Sequence, residues 1–113
     1  MSELTPPISP QVFQILLSLA DGEDRHGYAI LRDIEERTGG EIRLTASTLY
    51  AAIKRMLEAG LIAEVDAPEE TGGAPRRCYR LRKAGRDVAR AEAERLARAV
   101  DMARDKRLLS GKA

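Results

Sequence analysis

Three apolar stripes of helical period stand before Gly60, each closed by glycine, and the pattern then switches to alternation around a Gly/Pro-rich loop. A chain with that order can fold into few things. Ser9-Pro10 reads as an N-cap followed by proline at the first helical position, where its missing N–H costs nothing. Val12, Ile15, Leu16, Leu19 and Ala20 form the first stripe, and Phe13 and Leu17 add a second on a neighbouring face. A helix apolar over so much of its circumference is expected to be buried on two sides, the second against another subunit. A second helix is predicted from His26 to Arg37, with Tyr28, Leu31 and Ile34 on one side beside Ile30, ended by Thr38-Gly39-Gly40. The third, over about 45–59, carries Leu49, Ile53, Met56 and Leu57 inward and Ser47, Tyr50, Ala51 and Lys54 outward. Thr45 or Ser47 is placed to cap it, and Gly60-Leu61 to close it in a Schellman-type turn.

The change of period brings two strands, Leu61–Val65 and Arg77–Arg82, joined by a loop (66–76) that contains Pro68, Gly72-Gly73 and Pro75. A long polar helix follows over 83–109. Its sparse apolar residues, Ala89, Ala93, Leu96, Val100 and Ala103, are spaced 4, 3, 4 and 3 apart, which is a heptad seam. Burying Leu96 and Val100 contributes only ~1.5–3 kcal/mol each. Such a helix needs a partner, and the first helix is expected to help hold it. The predicted fold is therefore mainly α with a β-hairpin: a winged helix-turn-helix plus a C-terminal dimerisation helix. Its parts are a flexible arm (1–8), the winged domain (9–82), the dimerisation helix (83–109) and a disordered tail (110–113).

Composition narrows the function. The 113 residues make one domain, with a formal charge of +1 that conceals a strong asymmetry. Residues 1–75 hold 6 Lys/Arg against 13 Asp/Glu, and residues 76–113 hold 13 against 5. Any nucleic-acid footprint must therefore be narrow and begin near the wing. One histidine and one cysteine are too few for a typical structural zinc site or a disulfide, and a reducing cytoplasm is the expected compartment. No nucleophile motif surrounds His26, no phosphate-cradling glycine loop occurs, and no apolar stretch approaches the roughly 18 residues of a membrane span. The expectation is a chain that is not an enzyme, with no catalytic residue, metal or cofactor and no membrane partner.

Particular residues sharpen this. His26-Gly27-Tyr28-Ala29-Ile30, then Leu49-Tyr50 within Thr45-Ala46-Ser47-Thr48-Leu49-Tyr50, then Gly60-Leu61-Ile62, Arg77-Cys78-Tyr79-Arg80-Leu81 and Gly85 fall in order. From about Pro10 to Gly85 the sequence resembles the PadR family of bacterial transcriptional regulators, and the tail resembles its short-tailed members. All three tyrosines, Tyr28, Tyr50 and Tyr79, lie in these motifs, each in a different one. Two positions depart from the family: Ser47 stands where glycine is usual before Thr-Leu-Tyr, and Arg82 where a threonine usually caps the last helix. The resemblance implies a homodimeric repressor of double-stranded operator DNA. Its third helix would enter the major groove and its wing would lie along the backbone or minor groove. Some members bind phenolic or drug-like effectors between aromatic residues at the dimer interface, and this chain has no tryptophan; the effector stays unidentified.

Candidate DNA contacts are Arg43, Ser47, Thr48, Tyr50, Lys54, Arg76 and Arg77. Hydroxyls and free N–H groups in the first helical turn suit phosphates or bases, and equally suit capping. Tyr50 could bind a phosphate or pack against the second helix. Arg43 could reach a phosphate or be solvated, and Arg76 and Arg77 could enter a narrow minor groove, clamp phosphate, or form a solvated basic run. Tyr28 is expected in the core or an interface, and Cys78 half-buried. Candidate dimerisation residues are Phe13, Leu17, Ala89, Ala93, Leu96, Val100 and Ala103. The alternative reading is a winged-helix module for binding another protein, which would present an acidic or apolar face on the third helix.

Overall fold

The structure, a computed structural model, describes residues 4–66 and 77–111. Helix α1 (Pro10–Ser18) starts as expected: the Ser9 hydroxyl accepts from the Val12 amide at 3.1 Å, with proline at the first helical position. Its inward residues Ile15 and Leu16 are fully buried, as is Leu19 just beyond. Helix α2 (Gly27–Arg37) is capped by His26, whose Nδ1 accepts from the Ala29 amide. Helix α3 (Ala46–Glu58) takes Thr45 as its cap, the hydroxyl accepting from the Thr48 amide at 3.1 Å. Its far end closes as a Schellman turn: Gly60 sits at φ +76, Leu61 donates to the Met56 carbonyl, and Gly60 donates to that of Leu57.

The sheet holds one strand more than the sequence pattern predicts. Besides β2 (Ile62–Asp66) and β3 (Arg77–Leu81), a two-residue β1 (Arg25–His26) pairs antiparallel with β3, giving the order β1-β3-β2. Arg25 lies opposite Tyr79 and His26 opposite Cys78. This pairing anchors the start of α2 to the wing sheet, so that the hairpin and the three helices share one core. The central strand β3 buries Cys78 more completely than the half-buried position expected of it. The wing loop between β2 and β3, with Arg76 in it, lies outside the described residues except for Asp66.

Helix α4 (Lys83–Asp105) leaves the sheet directly. Its cap position, Arg82, makes no side-chain cap bond, and the Arg82 amide donates instead to the Leu61 carbonyl at 3.0 Å. A side chain at Gly85 would meet that same carbonyl, so the helix can lie this close only with glycine there. Helix α4 then packs on α1.

Residues 4–8 differ from the loose arm expected. Leu4 and Ile8 are both buried in the core, and the Ile8 amide donates to Glu92 Oε1 on α4. Glu92 is only 2% exposed. Hydrogen bonds from Arg95 and from that amide hold its carboxyl below its usual range against the opposing effect of burial. Two prolines and no periodicity hide this packing from the sequence. The segment is held by α4 and by its own two apolar side chains.

Candidate nucleic-acid interface

The inner face of α3 determines what its outer face presents. Leu49, Ile53 and Met56 are at most 2% exposed, and Ala52 is buried with them. Their burial turns Ser47, Tyr50, Ala51 and Lys54 to solvent, as the 3.6-residue period requires. Lys54 has no ion-pair partner among the described residues, so its charge remains uncompensated on this face.

At the head of the helix the two hydroxyl candidates separate. The Thr45 hydroxyl donates to Thr48 Oγ1 at 2.9 Å while accepting from the Thr48 amide, so Thr48 is part of the cap. Ser47 takes no part in it and stands exposed at the second helical position. The Ala46 and Ser47 amides precede the first intrahelical bond, which Leu49 makes to the Thr45 carbonyl, and they have no intrahelical partner. An uncapped hydroxyl and two free donors thus share the positive end of the α3 dipole.

Tyr50 is 47% exposed, yet its hydroxyl end rests against Gly27, where any Cβ would collide with the phenol. The packing role weighed for it is therefore observed, and it explains why glycine follows His26. Tyr79 is buried on β3, and burial first, then the neighbouring Tyr50, pushes its phenol above its ordinary pKa. The three tyrosine motifs consequently meet near one place: the start of α2, the outer face of α3 and the middle of the sheet. Of the two positions expected of it, core or interface, Tyr28 does not take the core. It is 63% exposed, because Ile30 and Ile34 take the inward positions of α2.

The arginine candidates are arranged differently. Arg43 precedes the α3 cap and lies 3.8 Å from Glu35. Arg77 faces Glu64 across the hairpin at 3.6 Å, and both side chains are exposed. Arg76 falls outside the described residues. Arg80 is committed elsewhere, in two hydrogen bonds to Asp24 that tie the sheet to the turn before β1.

The dimerisation candidates do not form one class. Ala89 is buried within the subunit at 8% exposure, on the face that meets α1, so this first position of the seam serves the subunit core. Phe13 and Leu17 are half-buried, packing partly within the chain. Ala93 is exposed, Ala103 is half-buried, and Leu96 and Val100 are each 37% exposed, so from residue 93 onward the seam lacks a complete partner within the subunit.

No group of three or more His, Cys, Asp or Glu among the described residues could hold a metal ion, and no described helix is long and apolar enough to cross a membrane. What the molecule does present is an α3 face with free donors beside a three-stranded wing sheet. The model of the transcriptional regulator PadR-like family matches residues 15–91. The chain belongs to that family. This PadR-like chain is also 33% identical over 72 residues to an uncharacterised protein of Lysinibacillus sphaericus, covering 64% of this chain and 65% of the relative, just under two thirds of its length. Among solved structures, it is similar to a PadR family transcription regulator from Clostridium difficile R20291. The identity is 26%, the coverage 82% of this chain and 95% of that one, and the TM-score 0.66. It also shares its fold with Bacillus subtilis PadR in complex with operator DNA: 22% identity, 74% of this chain and 47% of that one, TM-score 0.64. The winged-helix architecture read from the residue pattern is thus that of the family, whose members are transcriptional regulators and not enzymes.

Proposed function

We propose that this chain is a homodimeric, sequence-specific DNA-binding repressor that reads a double-stranded operator with α3 and the wing. The observation that carries the reading is the outer face of α3. Ser47 and Lys54, which has no ion-pair partner among the described residues, stand exposed on it, with two free amides at its head. A solvent-facing helix with hydroxyl, amide and ammonium donors and no acidic side chain among Ser47, Tyr50, Ala51 and Lys54 matches the acceptor-rich major groove and the flanking phosphates. A protein-binding winged helix would be expected to show an acidic or apolar face there. Fold likeness to a relative solved with operator DNA supports the same reading.

In this reading Ser47, Thr48 and Lys54 act on bases or phosphates, Tyr50 buttresses α3 against α2 and offers its hydroxyl edge, and Arg43, Arg76 and Arg77 contact the backbone. Arg77 exchanges its exposed pairing with Glu64 for phosphate. Dimerisation through Leu96 and Val100, with Ala93, Ala103, Phe13 and Leu17 beside them, sets two α3 helices about one DNA turn apart, roughly 34 Å. Repression follows from occupancy of a promoter, and the compartment is the cytoplasm.

The test is competition binding between the promoter region upstream of the protein's own reading frame and random duplex at moderate salt. Preference for the promoter, with log affinity falling steeply against log salt, is the expected result. Equal affinity for both duplexes removes the sequence-specific reading.

A further inference from the structure

Helix α2 carries a charged groove of which the reading of α3 and the wing uses only Arg43, at its edge. Tyr28 opens the helix with an exposed ring, and the Arg32 guanidinium lies 5.9 Å from the ring centroid, one turn on. Arg32 is 3.9 Å from Glu36, and Arg43 is 3.8 Å from Glu35. These five side chains line one open groove together with Gly40. Both guanidiniums are largely in solvent, with side-chain exposures of 64% and 72%, and both ion pairs lie near the limit of contact.

The groove is continuous with the α3 face at two points. Tyr50, on α3, rests on Gly27, next to Tyr28. Arg43 stands two residues before the Thr45 cap of α3. A duplex lying along α3 therefore has a neighbouring strand backbone within reach of α2.

We propose that this groove is a carboxylate-guarded phosphate site. Arg32, steadied by the face of Tyr28, takes a phosphate of double-stranded DNA, and Glu36 and Glu35 hold Arg32 and Arg43 while DNA is absent. Exposed ion pairs of this length contribute little, whereas a phosphate offers arginine a bidentate acceptor. The stacked ring restricts the guanidinium, so less side-chain freedom is lost on binding. The two glutamates also keep the groove close to neutral, so the groove alone does not attract DNA and binding waits on α3. The inference rests on the DNA-binding reading above.

Its test is Arg32→Ala in the full chain, with Lys54→Ala as the comparison. Affinity is measured across a salt series for a duplex selected from a random pool and for a random duplex. Arg32→Ala should weaken both duplexes by the same factor, about three- to tenfold at low salt, and flatten the log–log slope by about 0.9. Glu36→Gln, which removes the guard, should tighten both duplexes. If wild type binds and Arg32→Ala matches it in affinity and slope, the groove makes no phosphate contact and the inference falls while the reading of α3 stands. A loss confined to the selected duplex with an unchanged slope also overturns it, since that is not the signature of a phosphate contact. If wild type binds no duplex while remaining folded, the DNA reading itself is overturned.

Discussion

Helices α3 and α4 have similar amphipathic patterns but stand in opposite situations. Helix α3 seats its apolar row inside the subunit: Leu49 and Met56 are at 0% exposure, Ile53 is at 2%, and Leu57 packs half-buried against the core. Polar and small residues are left outside, with the half-exposed ring of Tyr50. Helix α4 buries its first turns through Gly85, Ala89 and Glu92, and beyond them leaves Leu96 and Val100 at 37% and Met102 at 63%. One helix has been completed by its own chain, so its exposed face is available for recognition. The other carries apolar surface that its own chain does not cover, the usual mark of an assembly face. The same period thus has two meanings, and which one applies depends on whether a partner element lies opposite.

That contrast can be broken at several points. Leu49→Ala should destabilise the subunit by about 2–5 kcal/mol, because a fully buried site leaves a cavity. Leu96→Ala should cost far less within a subunit, and its effect should vary with protein concentration. Denaturant titrations at two concentrations separate the two cases. Equal, concentration-independent losses would remove the distinction between the helices.

The second test acts on α4 directly. Leu96→Asp together with Val100→Asp should shift sedimentation from dimer to monomer while the far-UV circular dichroism of the winged domain is kept. An unchanged sedimentation coefficient would remove α4 as the proposed assembly face.

Gly27→Ala sharpens the α3 side. A methyl group there meets the Tyr50 phenol. Overpacking should cost about 1–3 kcal/mol. The loss should shrink when Tyr50→Ala is added, because the two residues share one contact. Additive losses in the double-mutant cycle would mean that Gly27 is needed for another reason.

Lys54→Ala should change stability by less than about 0.5 kcal/mol, as expected of an exposed residue with no ion-pair partner among the described residues. Its effect should appear in DNA affinity and salt slope instead. A stability loss without a binding loss would return Lys54 to a structural role.

The smallest effect concerns pH. Hydrogen bonds from Arg25, with a further one from the Glu23 amide, lower the Asp21 carboxyl from 3.8 to about 2, and Glu92 is lowered in the same direction. A carboxyl depressed on folding binds fewer protons folded than unfolded. Its stabilisation is therefore complete above the unfolded value and is lost as pH falls toward the folded one. Between about pH 4 and 2, Asp21→Asn should flatten the fall in stability measured by thermal melts. Because Asp21 is half-exposed, the difference should be slight, and identical curves would leave the pair without energetic weight.

Much of this molecule is legible in the residue order because the determining contacts are local. Ser9, Thr45 and Gly60-Leu61 act on backbone groups three to five residues away. Their chemistry can be read without knowing the fold. The contact of Arg32 with the Tyr28 ring was not read from the sequence, and the groove they line also needs Arg43 arriving from the next loop.

The rest was decided by partners distant in sequence. Strand β1 is two residues long, too short to show any period, and exists because β3 pairs with it from more than fifty residues away. Glu92 looks like part of a solvated face until Ile8, 84 residues earlier, brings its amide to the carboxylate. Ala89 fits the heptad arithmetic, but the packing of α4 on α1 places it inside the subunit. Local hydrogen bonding and hydrophobic period determined the elements, their ends and their order, because those depend on neighbours along the chain. Which exposed face stays free, and which still lacks a partner, was determined only when the tertiary structure brought distant segments into contact.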